Sequence, residues 1–288
     1  MDLGGGDRVL EDEYVGRIDP AAPTDTSLPP SFSANLGFLW TDRSLCDAIR
    51  AAAAAGFDAV EFHQPFATPV AEVVETLAEV GLPVVSLNMG LGERDGDFGV
   101  AAVTGREAEA RALIDDAIAY AARIGCRYVS VFAGRTGRTA EAEQIFRENL
   151  AYAGDRAGEA GLGIVIEPLS TGAGSDYHLL HVRDGAETVA AVGRPNVQVM
   201  ADTFHVMTMD ANIDPIAEYV DAVGHIQFSG WPDRREPDQG LPFRDLIPAW
   251  LRAGYDGCFG AEYTPRTTED EGLAWLQEWQ LRRREAEG

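Results

Sequence analysis

Four apolar segments in the second half of the chain each lead into a residue with a side-chain oxygen. The segment LGIVI at 162–166 precedes Glu167, and three later segments, VQVMA, VGHI and CFGA, precede Asp202, Gln227 and Glu262. Predominantly apolar runs of this length are typical of strands buried on both faces of a parallel sheet. The four polar residues are 35, 25 and 35 positions apart, which is about one strand and one helix each time. This spacing predicts repeated strand-helix units whose strands end at one common edge.

The remainder of the chain extends the same pattern. Strand and helix signals alternate from residue 32 onward, and eight such units in about 255 residues match the size of a TIM barrel. We therefore predict an α/β protein with a single (β/α)8 TIM barrel over residues 31–288. Its first strand is predicted over 32–39, and its helix between the sixth and seventh strands over 213–222. An open doubly wound sheet is the alternative, but it would favour a glycine fingerprint after the first strand, and NLGF at 35–38 is not one.

Residues 1–30 differ from the rest of the chain in composition. They contain three consecutive glycines, scattered acids and four prolines, without a sustained period. We predict a flexible N-terminal extension outside the barrel. A homo-oligomer in which this extension docks on a neighbouring subunit stays open as an alternative.

Charge and composition exclude several classes of function. The formal net charge of −24 argues against a nucleic-acid partner, because a phosphate-binding face needs clustered cations. The chain contains no lysine, so a Schiff-base mechanism and a phosphate-loop lysine are both excluded. No apolar run reaches the roughly 18 residues of a membrane span, and no secretory leader pattern is present. We expect a cytoplasmic protein that acts on a small molecule, with no membrane partner.

The four residues at the strand ends have the chemistry of a divalent-metal site. In a TIM barrel the carboxyl ends of the strands surround the active site, so Glu167, Asp202, Gln227 and Glu262 are predicted to meet there. Three carboxylates and one amide oxygen favour Mg²⁺ or Mn²⁺, whereas zinc favours histidine or cysteine ligands. Each acid taken singly could instead cap the helix that follows its strand. Four such residues in consecutive units favour the metal site.

Two histidines near these strand ends are candidates for substrate binding. His205 follows Asp202 by three positions and is predicted to lie on a loop beside the metal, where it donates a hydrogen bond to the substrate. His225 precedes Gln227 by two positions, so both side chains point to the same face of their strand. That face is the barrel interior, and a buried core histidine is an equal alternative to a substrate contact.

Residues on other strand ends and loops complete the predicted pocket. Arg234 and Arg235 follow the seventh strand and suggest an acidic substrate, because arginine can hold a carboxylate in a two-pronged contact. A solvated loop is the alternative interpretation of this pair. Glu61 and Asn88 end the second and third predicted strands and are expected to line the pocket.

A set of short segments along the chain has the pattern of a known family. The segments are SANL at 33–36, AAGFDAVEF at 54–62, GREAE at 105–109, IEPL at 166–169, GHIQ at 224–227, GYDG at 254–257 and GAEY at 260–263. Together they resemble the hydroxypyruvate isomerase family, within the larger group of xylose-isomerase-like barrels. The resemblance extends from about residue 32 to residue 265. Position 227 is glutamine, whereas many relatives have histidine there. In this residue the chain resembles the hydroxypyruvate branch of the larger group.

The resemblance implies both a site and an activity. Glu167, Asp202, Gln227 and Glu262 would hold the metal, and Glu167 and Glu262 would flank the substrate as the acid/base pair, with His205 touching it. The implied activity is aldose–ketose isomerisation of a short hydroxy-carbonyl acid, of the hydroxypyruvate or tartronate semialdehyde type, by proton transfer through an enediolate. Two other classes stay open. One is a keto-sugar or tetronate epimerase or isomerase, or a lyase of a sugar-like metabolite; the other is a non-catalytic metal- or sugar-binding barrel.

The segments around the predicted pocket depart from the family pattern. Relatives carry an acid shortly after the Glu-Pro pair, whereas this chain has STGAG at 170–174. It also has SG at 229–230 in place of Ala-Asp, and GLP at 240–242 in place of Gly-Glu-Ile. Because the metal residues are intact and the rim is altered, we expect the family chemistry and leave the substrate open.

Overall fold

The computed structural model describes residues 30–287, and these form a closed barrel of eight parallel strands. Neighbouring strands pair in chain order, and β1 pairs with β8 to close the sheet. The strands are β1 (Phe32–Asn35), β2 (Ala59–Phe62), β3 (Val84–Asn88), β4 (Tyr128–Ser130), β5 (Gly163–Ile166), β6 (Val197–Asp202), β7 (Val223–Phe228) and β8 (Phe259–Ala261). The predicted TIM barrel is therefore confirmed. The predicted extension over residues 1–30 lies, except for Pro30, outside the described residues.

Helices surround the barrel and alternate with the strands. They are α1 (Leu45–Ala55), α2 (Val70–Val80), α3 (Glu107–Ile124), α4 (Ala140–Glu159), α5 (Val182–Val192), α6 (Thr203–Asp210), α7 (Asp214–Glu218), α8 (Phe243–Ala253) and α9 (Ala274–Glu287). The first of them begins after Ser44, whose hydroxyl accepts a hydrogen bond from the Asp47 backbone N–H, and ends at Gly56 in the left-handed conformation. Within the described part of the chain, none of the helices combines the length and apolar character needed to cross a membrane.

Part of the barrel interior beneath the candidate site is apolar. Val165 and Met200 precede Glu167 and Asp202 by two residues, so each apolar side chain shares a face of its strand with an acid. Both apolar residues belong to a small buried cluster separate from the main core. That cluster consists of Ala59, Val85, Tyr128, Val165 and Met200.

The first strand is shorter than predicted because a turn begins at Asn35. The Asn35 side-chain oxygen accepts a hydrogen bond from the Gly37 backbone N–H at 2.9 Å, and its carbonyl accepts one from the Leu39 N–H at 2.9 Å. The residues after Asn35 therefore fold over the end of the barrel, and Phe38 is brought to the site.

The segment after β6 is a helix, where we predicted a loop. Asp202 ends β6, and its Oδ1 accepts a hydrogen bond from the Phe204 backbone N–H at 2.9 Å, so Asp202 caps α6. His205 consequently lies in the first turn of a helix. The helix predicted over 213–222 is limited to α7 and a 3₁₀ turn, Val220–Ala222. Thr203–Asp210 gave no helical signal because its apolar residues do not form a single stripe.

Candidate active site

The C-terminal ends of β5 to β8 bring the four predicted metal residues to one end of the barrel. Glu167 follows β5, Asp202 ends β6, Gln227 is the penultimate residue of β7, and Glu262 follows β8. In the strand register Asp202 pairs with Gln227, and Gln227 pairs with Gly260. All four side chains are buried.

The guanidinium group of Arg234 connects two of these carboxylates. Its Nη2 lies 2.5 Å from Asp202 Oδ2 and 3.0 Å from Glu262 Oε1. Its Cζ lies 4.6 Å from the ring centre of Phe38 and 4.9 Å from that of Phe204, which are cation–π distances. Arg234 has a φ of 54°, a backbone conformation uncommon for arginine. The segment after β7 thus places one fixed cation among the carboxylates.

Arg235 has a different position from its neighbour. Its Nη1 donates hydrogen bonds to the carbonyl oxygens of Thr264 at 3.4 Å and Pro265 at 2.9 Å. The side chain therefore ties the segment after β7 to the segment after β8. Of the two arginines considered from the sequence, Arg234 is the one that contacts the buried carboxylates.

The ring orientation of His205 is determined by Ser170. The Ser170 backbone N–H donates to His205 Nδ1 at 3.1 Å, and the Ser170 hydroxyl lies 2.9 Å from the same atom. Because a backbone N–H can only donate, Nδ1 is the acceptor and the neutral ring carries its hydrogen on Nε2. Nε2 lies 3.7 Å from Asp202 Oδ2 and 4.0 Å from Glu167 Oε1. Burial, together with Arg234, lowers the pKa of His205 to about 3, so the ring is a neutral donor.

Burial and neighbouring charges give the three buried carboxyl groups very different pKa values. Burial, followed by the charges of Glu262 and Asp202, raises the pKa of Glu167 well above its usual range. Burial raises the pKa of Asp202 to about 7, against the opposing effect of Arg234. For Glu262, burial is outweighed by Arg234 and His63, which lower the pKa to about 2. One protonated and one ionised carboxyl in the same site is the arrangement that acid/base pairs require.

The donor set fits a hard divalent cation. Glu167 Oε1 and Gln227 Oε1 are buried and have no hydrogen-bond partner within the described residues. Such unpaired oxygens are costly, and a cation would satisfy them. One ligand atom from each of Glu167, Asp202 and His205 also lies within 4.8 Å of the other two. Since the His205 Nε2 carries a hydrogen, the tautomer favours the oxygens of the strand-end residues over this histidine as ligands.

The remaining predicted residues lie at different depths. Glu61 and His225 are fully buried beneath Gln227, and His225 Nε2 lies 3.1 Å from Glu61 Oε1. Glu61 was predicted to line the pocket, and the structure places it one layer further inside the barrel. His225 lies in the barrel interior, the position expected of it from the sequence. Asn88 ends β3 and is partly exposed at the edge where the site lies.

Three residues around the site were missed or left without a role. Phe38 and Phe204 flank Arg234, and Ser170 orients His205. Phe38 lay inside the first strand as predicted from the sequence, whereas the strand ends at Asn35 and leaves Phe38 on the turn that follows. Ser170 was noticed only as a departure from the family pattern. In addition, His63 Nε2 lies 3.8 Å from Glu262 Oε1 at the edge of the site.

Comparison with known proteins agrees with the resemblance found in the sequence. A profile of the family described as xylose isomerase-like TIM barrel matches residues 49–279. A 2-oxo-tetronate isomerase from Pectobacterium atrosepticum is 37% identical over 256 residues, which cover 87% of this chain and 98% of the relative. A human protein provisionally named hydroxypyruvate isomerase is 35% identical over 268 residues, covering 88% of this chain and 97% of the relative.

A solved structure is also similar to this chain in fold and sequence. The crystal structure of a family 2 AP endonuclease from Brucella melitensis has a TM-score of 0.83 and 34% identity, covering 86% of this chain and 98% of that one. Fold and sequence thus agree. The chain belongs to the xylose isomerase-like TIM barrel family.

Proposed function

We propose that this enzyme, an isomerase of its family, acts on a short hydroxy-carbonyl acid with the help of Mg²⁺ or Mn²⁺. The observation that carries the proposal is the meeting of three buried carboxylates, the Gln227 amide oxygen and the Arg234 guanidinium at one end of the barrel. Two carboxyl groups that differ strongly in pKa can act as the acid and the base in a proton transfer. A guanidinium group can bind the carboxylate of a substrate.

The names of the relatives narrow the range of substrates that we propose. The names hydroxypyruvate isomerase and 2-oxo-tetronate isomerase both denote acids with a carbonyl at C2 and a hydroxyl at C3. In such an acid the carbonyl can move to C3 when one proton is transferred from C3 to C2 and the hydroxyl proton passes from the C3 oxygen to the C2 oxygen. We therefore infer that the substrate is a 2-oxo-3-hydroxy acid of three or four carbons, with its carboxylate beside Arg234.

The chain's own residues account for the proton transfer. Glu167, Asp202, Gln227 and Glu262 would hold the metal ion, which supplies positive charge that polarises the carbonyl and stabilises the enediolate. Either Glu167 or Glu262 removes the C3 proton, and the same group or its partner returns a proton to C2. The Nε2–H of His205 donates a hydrogen bond to a substrate oxygen, and Asn88 lines the pocket. General acid–base catalysis of this kind contributes about 10²–10⁴ in rate.

Proton exchange with solvent tests this function. The enzyme would be incubated in D₂O with Mn²⁺ or Mg²⁺ and with hydroxypyruvate, 2-oxo-tetronate or neutral ketoses, and followed by NMR. We expect metal-dependent deuterium incorporation and a new isomer from the acids. Exchange only with ketoses would favour an epimerase or isomerase of sugars. Metal binding without exchange in any compound would favour a binding protein and contradict the proposal.

His205→Ala should lower kcat/KM without weakening metal binding. One hydrogen bond to a charged substrate is worth about 1.5–3 kcal/mol, so we expect a loss of about 10- to 100-fold. His181→Ala is the matched control, since His181 is half-buried and pairs with Asp210 at 2.6 Å. Mn²⁺ affinity measured by calorimetry should stay within about twofold of the wild type. A large drop in Mn²⁺ affinity would instead make His205 a ligand and refute the tautomer assigned above.

Metal affinity should rise with pH between about pH 6 and pH 8. Burial raises the pKa of Asp202 to about 7 and that of Glu167 well above its usual range, so the metal-free site holds protons that a metal must displace. As the pH rises through 7, the Asp202 proton is lost and binding becomes easier. Calorimetry in two buffers with different ionisation enthalpies would count the released protons. A dissociation constant independent of pH in this window would contradict the expectation.

A further inference from the structure

A layer of buried polar side chains lies directly beneath the candidate metal residues. Its centre is the Glu61 carboxylate on β2, which has no exposed surface. Glu61 Oε1 accepts a hydrogen bond from Ser33 Oγ at 2.5 Å, and Oε2 accepts one from Ser86 Oγ at 3.3 Å. Oε2 also accepts a hydrogen bond from Gln227 Nε2 at 2.8 Å. The carboxylate is therefore surrounded by donors supplied by three other strands.

The backbone of β8 leaves room for this layer only because residue 260 is glycine. A Cβ at Gly260 would lie within 3.0 Å of atoms of Glu61, His225 and Gln227. All three neighbours are buried, so none of them can move into solvent. The close approach of β8 thus holds the side chains of Glu61 and Gln227 against each other.

The two ends of the Gln227 amide differ in chemistry. The oxygen can bind a cation, whereas the NH₂ group can only donate hydrogen bonds and would repel one. A carboxylate on the far side of the amide accepts hydrogen bonds but cannot donate them. Glu61 therefore selects the orientation in which Nε2 points down to Oε2, and the partnerless Gln227 Oε1 is left for the site above.

We propose that Glu61 is a positioning residue that fixes the Gln227 amide with its oxygen toward the metal. Glu61 touches neither metal nor substrate and acts through Gln227. The inference rests on the proposed function, since it takes Gln227 as a metal ligand. It assigns to Glu61 a role different from the pocket contact expected from the sequence.

Substituting Glu61 tests the role of its carboxylate. Glu61→Leu keeps the volume and removes the acceptor, so the amide loses its fixed orientation. We expect Mn²⁺ affinity, measured by calorimetry on the metal-free protein, to fall about 10- to 100-fold, as for other partners of metal ligands. Glu61→Gln retains a side-chain oxygen that can accept from Gln227 Nε2 and should recover most of the affinity. Ser86→Ala is the control, because it removes a donor to Glu61 and leaves the bond to Gln227 in place.

A reciprocal exchange separates positioning from packing. Gln227→Glu alone sets two carboxylates against each other and should bind Mn²⁺ poorly. In the double variant Glu61→Gln/Gln227→Glu, the amide on β2 donates to the carboxylate on β7, whose second oxygen faces the site. We expect its Mn²⁺ affinity to exceed that of Gln227→Glu alone by at least about tenfold. A purely structural role for Glu61 predicts no such recovery.

The outcomes distinguish this inference from the proposed function. Wild-type Mn²⁺ affinity in Glu61→Leu, or no recovery in the double variant, would overturn the positioning role and leave the isomerase proposal intact. Absence of Mn²⁺ and Mg²⁺ binding in the wild type would overturn the positioning role together with the metal site. If Mn²⁺ binding follows the expected pattern but no acid is turned over, the positioning role stands and the isomerase proposal fails.

Discussion

Glu167→Gln should reduce turnover by about 10²- to 10⁴-fold while the protein stays folded. Glutamine keeps an oxygen for the metal but cannot accept or return a proton at the substrate carbon. Because burial and the neighbouring charges of Glu262 and Asp202 raise the pKa of Glu167, folding of the metal-free protein near neutral pH must protonate this carboxyl, and the neutral amide avoids that cost. We therefore expect a melting temperature equal to or above that of the wild type, measured without metal, alongside the loss of isomer formation seen by NMR.

The control for this substitution is Glu75→Gln on the exposed outer side of α2, which should change neither property. Turnover in Glu167→Gln within about threefold of the wild type would remove Glu167 from the acid/base pair. Glu262→Gln provides a further distinction. If deuterium exchange with solvent persists in only one of the two variants, one acid removes the substrate proton and the other returns it, which is a two-base route. An equal loss of exchange in both variants would mean that proton removal needs both acids.

Arg234→Leu should have two separate consequences. In the metal-free protein Asp202 and Glu262 lose their shared cation, and removing one partner of a buried ion pair typically costs about 3–5 kcal/mol. Added Mn²⁺ should restore most of this stability by replacing the lost positive charge. In the loaded enzyme, kcat/KM for a carboxylate substrate should fall about 100-fold, because a charged hydrogen-bonding partner is gone. Thermal unfolding with and without Mn²⁺, together with initial rates, measures both effects.

A substrate without a carboxylate isolates the second effect. Isomerisation of dihydroxyacetone by the Mn²⁺-loaded enzyme should fall much less in Arg234→Leu than that of the acids, so the variant should lose its preference for acids. Arg235→Leu is the matched control, because its guanidinium binds the carbonyl oxygens of Thr264 and Pro265 and does not contact the buried carboxylates. An equal loss on acid and neutral substrates would limit Arg234 to stabilising the site.

The barrel could be predicted because its signals are local and repeated. Most strands are short apolar runs, most helices have an apolar stripe of helical period, and polar residues follow the buried strands at regular spacing. This spacing alone predicts that Glu167, Asp202, Gln227 and Glu262 lie at one end of the fold. Even where the boundary was wrong, as at Asn35, the order of the strands was unaffected.

The finer contacts could not be predicted because they join segments far apart in sequence. Ser170 orients His205 across 35 residues, and Glu61 meets Gln227 across 166. The alternation rule correctly placed His225 inside the barrel, but it cannot say how far below the mouth a side chain lies. The direction of the Arg234 side chain depends on a backbone with positive φ, which arginine rarely adopts, so the sequence pair of arginines could not show which one enters the site.

The fixed tautomer of His205 determines which chemical groups can bind beside it. Since Ser170 occupies the accepting nitrogen, the ring presents only an N–H to the cavity, and Arg234 beside it presents only N–H groups as well. A substrate oxygen can accept a hydrogen bond from either His205 or Arg234. An ammonium group there would face two hydrogen-bond donors, one of them positively charged. An amino acid with the carbon skeleton of the proposed 2-oxo acid substrate should therefore not place its ammonium group at either of these two points.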